Sequence, residues 1–465
     1  MDSLPLVTTR QYSIRKILPL LLVAQLLIFS LVFFAPLRVV VIVSLGIISL
    51  LFLLVYPDPI VATLILSSFI TVVLPRPTGR SFVFKAEEVV PVVTLFFLLF
   101  SFLQGDYARR SIGKIGYWLI GFFIVVIIAA IIGILKERNK ILILDETMMF
   151  AMWGGYLIVV KTKLTQQQIK HLFLTIIVSS LIVSLYYIFE FKLLAGLTRF
   201  RTDQQHIFNF TVPVLFAVLL YDKNKTRKIT AGILIIPMAI AVYVTLTRAL
   251  WLLVPLALFL QYLYFMKESL RRKKVIAYLL PILIVGLIAV MGIMVLEGLF
   301  GVSNLLGERF ASFKFLESDF SLLARAELSK YVLEKVYFSP FFGVGLADFL
   351  RYQYFPTLGR FNVYWLDNTY MQLIWKTGVI GTLLFLGFLY YFLKRAWYVL
   401  KNSVETFDKI IGSSIFFSFV ALAISGLQCG ILAGYRFNFI WAILAGITEI
   451  KAQEIKKRKE SLSVV

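Results

Sequence analysis

The chain has 465 residues, of which 60% are hydrophobic and 15% charged, and its mean hydropathy is +0.89. A soluble chain is about half apolar and about a quarter charged, so this composition excludes an ordinary soluble protein and indicates an integral membrane protein. The apolar runs are continuous instead of alternating, which excludes an outer-membrane barrel, and the single cysteine, Cys429, excludes an intramolecular disulfide.

Long apolar runs follow one another along the chain, and each is expected to form a membrane-spanning helix. They predict an all-α protein, a polytopic transmembrane bundle of about 14 spans with one large extracytoplasmic loop that contains amphipathic helices. The predicted spans lie at about 17–35, 38–56, 59–74, 89–104, 117–135, 143–160, 171–189, 207–221, 229–247, 249–266, 276–298, 369–392, 411–432 and 436–450.

The net charge of +22 arises from the connections between the spans. More than half of the 47 Lys and Arg residues lie in the N-terminal segment, in the short even-numbered connections and in the C-terminal tail. Short basic connections remain in the cytoplasm, so both termini are predicted to be cytoplasmic. The excess charge is therefore interpreted as topology and as attraction to anionic lipid, and no nucleic acid partner is expected.

We divide the chain into five parts on the basis of this pattern. The parts are residues 1–194 with the N-terminal transmembrane helices, 195–298 with further transmembrane helices, 299–368 as a large loop on the outer side, 369–450 with the C-terminal transmembrane helices, and 451–465 as a basic cytoplasmic tail.

The large loop is expected to be folded because it is rich in Phe, Leu and Tyr. Residues 321–336 predict a helix on which Leu328, Val332 and Val336 share one face, and Arg325 lies on the same face. Pro340, Gly343 and Gly345 then break the helix, and the aromatic stretch 349–365 is suited to the bilayer interface.

Basic and polar residues collect where spans emerge on the outer side. The connection 190–206 carries Arg199, Arg201 and His206, and Arg248 stands between two long apolar runs. Arg199 and Arg201 could equally be plain surface residues, and Arg248 could contact a lipid phosphate.

The start of the span at 369–392 is also polar. Asp367 precedes it, and Asn368, Gln372 and Lys376 follow at intervals of four residues, so they form a stripe along one helix face. Asp367 is either an active-site residue or the N-cap of this helix. Lys376 is a functional candidate at a depth where charge is costly, and the alternative is a lysine that pairs with a buried carboxylate or extends toward water.

Several arginines beside one carboxylate indicate a phosphorylated lipid or an anionic solute as ligand, because the guanidinium fork matches phosphate and carboxylate oxygens. No nucleotide-binding phosphate loop is found. The few histidines and the single cysteine predict no metal and no cofactor.

Three motifs resemble the O-antigen ligase and O-antigen polymerase family. They are L-T-R-A-L-W at 246–251, the segment A-R-A-E-L-S-K-Y-V-L-E-K-V-Y-F-S-P-F-F-G-V-G-L-A-D-F at 324–349, and D-N-T-Y-M-Q-L-I-W-K-T-G-V-I-G at 367–381. The first is similar to the family's Thr/Ser-Arg turn, the second to its arginine helix followed by proline and Gly-x-Gly, and the third to its Asn-x-Tyr segment that enters the next span.

The resemblance implies a metal-independent glycosyltransferase in the bacterial cytoplasmic (inner) membrane, with its active site on the outer, periplasmic face. It would take a glycan from an undecaprenyl-pyrophosphate-linked donor and pass it to a hydroxyl of another glycan or lipid-linked glycan, among membrane lipids and with a chain-length regulator or flippase as a candidate partner. Asp367, Arg248 and Arg325 are the predicted catalytic residues. The predicted substrate-binding residues are Arg199, Arg201, His206, Asn368, Tyr370, Gln372 and Lys376.

Two positions depart from the family pattern. Asp367 stands where ligases of the family have a histidine, and beside arginines an aspartate is a weaker base. Lys376 stands where the family often has an acidic residue. Both departures favour a polymerase of O-antigen, capsule or exopolysaccharide over a lipid A core ligase. The alternatives from other classes are an anion transporter, for bicarbonate or a similar solute, and a glycan-assembly scaffold whose arginines only bind lipid.

Overall fold

The computed structural model describes residues 61, 64–65, 67–69, 111–162, 164–193, 203–245, 247–270, 320–353, 360–427, 430 and 435–463. The predicted spans at 17–35, 38–56, 89–104 and 276–298 lie outside the described residues, and so do Arg199 and Arg201. The backbone of Arg248 is described, whereas its side chain lies outside the described part.

The described residues form mainly long helices. They are α1 Gly113–Leu135, α2 Lys140–Ala151, a 3-10 turn Met152–Gly154, α3 Gly155–Thr162, α4 Gln166–Leu193, a 3-10 turn Asp203–Ile207, α5 Phe208–Tyr221, α6 Lys225–Val244, α7 Arg248–Leu270, α8 Phe320–Tyr337, strand β1 Leu350–Gln353, strand β2 Arg360–Val363, α9 Thr369–Asn402, α10 Thr406–Ser425 and α11 Tyr435–Ser463.

Within the described part, seven helices are long and apolar enough to cross a membrane, and residues 205–221 form a shorter apolar helix. The polytopic, helical class predicted from sequence is therefore confirmed, and the chain is a multi-pass membrane protein. The total of about 14 spans and the five-part division stay predictions. The predicted tail at 451–465 continues α11 as helix as far as Ser463.

The connections predicted to be cytoplasmic meet at one end of the bundle through ion pairs. Lys451 contacts Asp408 at 3.3 Å, and Arg458 contacts Glu405 at 2.5 Å. The hydrogen bond from Arg458 holds the pKa of the Glu405 carboxyl below its usual value, while partial burial opposes this shift. These contacts join the C-terminal part of α11 to the first turn of α10 and to the connection that precedes it.

Helix α9 is interrupted in its first third. Gly378 has φ 67° and ψ −170°, a combination that is almost restricted to glycine. The segment after α8 fills the break: Val344 N–H donates to the Trp375 carbonyl at 2.9 Å, and Val379 N–H donates to the Pro340 carbonyl at 2.8 Å. Backbone groups released by the interruption are thus paired inside the protein, as the membrane interior requires.

Residues 343–348, which we call the buried turn, lie between α1 and α9. All six residues are buried. The Leu346 N–H donates to the Ala129 carbonyl of α1 at 2.9 Å, and the added Cβ of a side chain at Gly345 would lie 2.7 Å from an Ile132 carbon. Glycine at this position therefore permits the close approach of the turn to α1.

Strands β1 and β2 form an antiparallel hairpin, with Leu350 opposite Val363 and Gln353 opposite Arg360. The hairpin lies in the aromatic stretch for which the sequence predicted an interfacial location. The eight strand residues lie within a loop of a helical protein, where β-branched and aromatic residues suit a strand pair.

Aromatic residues from the last residue of α8 to the start of the buried turn are exposed. Tyr337 is 80% exposed, Phe338 84% and Phe341 67%. The backbone of Phe341 accepts a hydrogen bond from Ile380, so these rings adjoin the exposed apolar face of α9 that begins at Val379. We infer that this aromatic segment is immersed in lipid, as are other exposed apolar faces of the spans.

A spin label on Phe341→Cys, in a Cys429→Ser background, is expected to collide more with dissolved oxygen than with a water-soluble nickel chelate, because oxygen concentrates in hydrocarbon. The matched control is Val404→Cys, since Val404 is 94% exposed in the connection between α9 and α10. Equal ratios of oxygen to nickel accessibility at the two positions would show that residue 341 lies in water.

Candidate active site

Arg325 and Asp367, both predicted to be catalytic, form an ion pair. The Nη2 and Nε atoms of Arg325 both donate to Oδ2 of Asp367, at 2.9 Å and 3.0 Å. The Arg325 side chain is 32% exposed and the Asp367 side chain 64% exposed. Among the described residues, Arg325 Nη1 and Asp367 Oδ1 have no hydrogen-bond partner. One guanidinium nitrogen and one carboxylate oxygen of this partly exposed pair therefore remain unpaired among the described residues.

The apolar face of α8 determines where Arg325 lies. Val332 and Val336 are buried in a cluster that also contains Leu350, Leu366 and Trp375, and Leu328 packs against it. The predicted amphipathic helix is confirmed, with its bounds extended by one residue at each end. Because Arg325 precedes Leu328 by about one turn, its side chain reaches the segment that leads into α9.

The N-cap of α9 is Asn368. Its side-chain Oδ1 accepts hydrogen bonds from Tyr370 N–H at 3.0 Å and Met371 N–H at 3.1 Å. The alternative in which Asp367 caps this helix is therefore wrong: an N-cap accepts from the second and third helical N–H groups, and here Asn368 occupies that position. The carboxylate of Asp367 contacts Arg325 instead.

Two other predicted substrate-binding residues of α9 contact the backbone. The Tyr370 hydroxyl donates to the Ala423 carbonyl of α10 at 2.7 Å. Gln372 is fully buried and accepts from the Leu366 N–H at 2.9 Å. Gln372 thus fixes the residues just before Asp367, and a direct role of either side chain in substrate binding stays a prediction.

Lys376 is also fully buried. Its Nζ atom lies 2.7 Å from Glu146 Oε1 and donates to the Asp348 carbonyl at 2.7 Å, over the Trp375 ring. Of the two interpretations that the sequence left open, these contacts match a lysine paired with a buried carboxylate. Its role in binding substrate stays a prediction.

The turn that carries Arg248 is tied to the 3-10 turn that carries His206. The Thr247 hydroxyl donates to Gln205 Oε1 at 3.0 Å, and Trp251 Nε1 donates to the Val242 carbonyl at 3.1 Å. His206 is half-buried and packs edge-on against Phe437 of α11, with ring centroids 5.7 Å apart. The helix α7 begins at Arg248, as the two apolar runs around it predicted.

The last turns of α10 bring these parts to one end of the bundle. The Thr369 N–H donates to the Gly426 carbonyl at 2.8 Å, which joins the start of α9 to the end of α10. Ala421 packs against Leu253, with Ala249 beside them, which joins the start of α7 to the same region. The starts of α7 and α9 therefore flank a shared helix end, opposite to the end that holds Glu405 and Arg458.

Four charged residues in and around the buried turn, Arg138, Glu146, Lys335 and Asp348, were not predicted as site residues. Asp348 Oδ1 lies 3.0 Å from Arg138 Nη2, and Asp348 Oδ2 lies 2.7 Å from Lys335 Nζ. Burial lowers the pKa of Arg138 from its ordinary value, and the charge of Asp348 opposes the shift. A signal for Glu146 was present in the sequence, since this carboxylate interrupts the predicted span at 143–160, and such residues are functional candidates by default.

The fold and the site define a multi-pass helical membrane protein with an exposed arginine–carboxylate pair at one end of the bundle. Residues 233–386 match the family model described as O-antigen ligase (Wzy_C). The match confirms the predicted resemblance to this family over that segment. It contains Arg248, Arg325 and Asp367, whereas His206 and the arginines at 199 and 201 lie before it.

A search of curated proteins finds no match to this chain. The family match supports glycan transfer or polymerisation in cell-envelope biosynthesis, and it does not favour the alternative of an anion transporter.

Proposed function

We propose that this protein polymerises glycan units on the outer face of the bacterial cytoplasmic membrane, using a polyprenyl-pyrophosphate-linked donor. The observation that carries the proposal is the exposed pair of Arg325 and Asp367 within the segment that matches the O-antigen ligase family. The aspartate at position 367, where ligases of the family have a histidine, favours a growing glycan over lipid A core as acceptor.

In the proposed reaction, the acceptor hydroxyl oxygen attacks the anomeric carbon of the donor sugar. The bond between that carbon and the pyrophosphate oxygen breaks, and the proton of the hydroxyl passes to Asp367 Oδ1. Arg325 Nη1, together with Arg248, would bind the leaving pyrophosphate and stabilise its developing charge. The two hydrogen bonds from Arg325 to Asp367 Oδ2 fix the position of the carboxylate and leave Oδ1 for the proton.

The first test is the profile of surface glycans in cells that lack the gene, with and without the wild-type copy. Accumulation of single carrier-bound repeat units in the deletion would support a polymerase. Long chains that remain on the carrier would instead identify a ligase. An unchanged profile would contradict glycan transfer and would return the transporter to consideration.

Asp367→Asn is expected to lower turnover by at least about 100-fold, because it removes proton acceptance while it keeps the size of the side chain. The measurement is turnover of a lipid-linked donor between pH 5 and pH 9. Full activity of Asp367→Asn at every pH would rule out proton transfer to this residue.

A further inference from the structure

The buried turn, residues 343–348, uses its backbone groups in contacts with distant side chains. The Val344 carbonyl accepts from Lys136 at 3.2 Å, and the Gly345 and Leu346 carbonyls accept from Arg138 at 3.1 Å and 2.9 Å. Lys136 and Arg138 lie in the connection between α1 and α2. A segment without regular structure is tolerated at such a position only when its polar backbone is paired.

Glu146 and Lys376 complete this pairing from two different spans. Glu146 Oε2 accepts from the Ala347 N–H at 2.8 Å, and its Oε1 contacts Lys376. Lys376 donates to the Asp348 carbonyl. The Glu146 carboxylate therefore accepts from a backbone N–H of the turn, and the Lys376 ammonium donates to a backbone carbonyl of the turn. Each charge has the sign that its backbone partner requires, in addition to pairing with the other charge.

The turn is strained at the residue that Glu146 holds. Ala347 has φ 56°, which is unfavourable for a residue with a Cβ. Such conformations persist only where the surroundings enforce them. Together with the contacts to Glu146, this strain indicates that the turn would relax if Glu146 no longer accepted the Ala347 N–H.

The turn also connects the two halves of the candidate active site. The turn follows α8, which carries Arg325. It also fills the break in α9, the helix that begins directly after Asp367 and Asn368. Val344 of the turn belongs to the same apolar cluster as Val336 of α8 and Trp375 of α9. A displacement of the turn would therefore move α8 relative to the start of α9.

We propose that Glu146 and Lys376 are positioning residues, which hold the buried turn in the break of α9 and thereby set Arg325 against Asp367. Neither residue touches substrate in this proposal. The proposal rests on the proposed function only where turnover is the readout, and the exchange measurement below is independent of it.

The first experiment compares Glu146→Gln with Glu449→Gln by hydrogen–deuterium exchange of the purified full-length protein. Glu449 is a matched control because it is also fully buried and pairs with Arg395 at 2.9 Å, at the opposite end of the bundle. Glu146→Gln should speed exchange of the Val344, Leu346 and Ala347 amides by at least about tenfold. Glu449→Gln should leave these amides protected. If these three amides stayed as protected from exchange in Glu146→Gln as in Glu449→Gln, the proposal would be overturned.

The second experiment exchanges the two charges in Glu146→Lys with Lys376→Glu. The ion pair and the net charge are retained, but an ammonium then faces the Ala347 N–H and a carboxylate faces the Asp348 carbonyl. We expect the amides of the buried turn to exchange as fast in this double variant as in Glu146→Gln. Recovery to wild-type protection would mean that the pair serves only general stability, and it would contradict the positioning role.

Turnover gives a further readout. In Glu146→Gln, kcat should fall by at least about tenfold while KM for the lipid-linked donor stays within about twofold, because the groups that bind the donor are still present.

Adding Ala347→Gly to Glu146→Gln should restore part of kcat and part of the amide protection, since glycine relieves the strain at this position. If protection falls as expected but no glycan transfer is found even in the wild type, the proposed function fails and the structural role of the pair stands. Unchanged kcat with lost protection would overturn the link to the active site.

Discussion

Arg325→Ala is expected to lower glycan transfer by at least about 100-fold while the protein remains folded. Loss of one fixed donor to a developing oxyanion typically costs this much in an enzyme. Here the variant removes the Nη1 donor, which has no partner among the described residues, and it also releases Asp367 from its only charged partner among them. Arg325→Lys should recover little, because an ammonium cannot hold Asp367 and pyrophosphate with the geometry of a guanidinium.

The matched control for this experiment is Arg351→Ala. Arg351 is an exposed arginine in β1 of the same loop, stacked near the Phe349 ring at 5.8 Å, and no step of the proposed reaction uses it. It should retain turnover within about twofold. Both variants are compared by turnover of lipid-linked donor and by elution of the purified protein as a single species. Equal activity of Arg325→Ala and wild type would remove Arg325 from the mechanism.

Gly378→Ala is expected to destabilise the protein strongly. The backbone conformation at Gly378 is nearly restricted to glycine, and adopting it with a Cβ costs about 1–3 kcal/mol before any clash is counted. An added Cβ would in addition overlap the backbone nitrogen of Gly343 and the carbonyl oxygen of Phe341. The buried turn would have to leave the break in α9, which would expose unpaired backbone groups of both segments.

Gly232→Ala is the control, because Gly232 lies within α6 and an added Cβ would meet only a Leu219 methyl carbon at 3.9 Å. Alanine is favoured over glycine in a helix by about 1 kcal/mol, so this variant should be neutral or more stable. The measurement is the thermal midpoint of each variant in detergent. A midpoint of Gly378→Ala equal to that of Gly232→Ala would contradict the interrupted helix.

Much of the membrane architecture could be predicted from local patterns. The spans predicted at 117–135, 171–189, 229–247 and 249–266 all correspond to helices, because a run of about 20 apolar residues can satisfy its backbone in lipid only as a helix. The hairpin at Leu350–Gln353 and Arg360–Val363 was missed, because strands of four residues are too short for their alternation to be distinguished from an aromatic loop.

The ion pair joins two residues that the sequence had singled out, but the contact between them could not be predicted from sequence. Arg325 on the predicted loop helix and Asp367 just before a span were both predicted to serve an anionic ligand, and the two side chains form an ion pair. The capping role fell to Asn368 and not to Asp367, since a shift of one residue at a helix start is below the precision of sequence patterns.

The sequence by itself determined that this is a multi-pass helical membrane protein, that an amphipathic helix carries Arg325, and that residues 367–381 enter a span. These properties depend on the length and period of apolar runs, which are local. Only the tertiary structure decided that Lys376 pairs with Glu146, 230 positions away, and that the buried turn fills the break at Gly378. Such contacts depend on how distant spans pack, because packing determines which oppositely charged group lies close enough to pair with a buried charge.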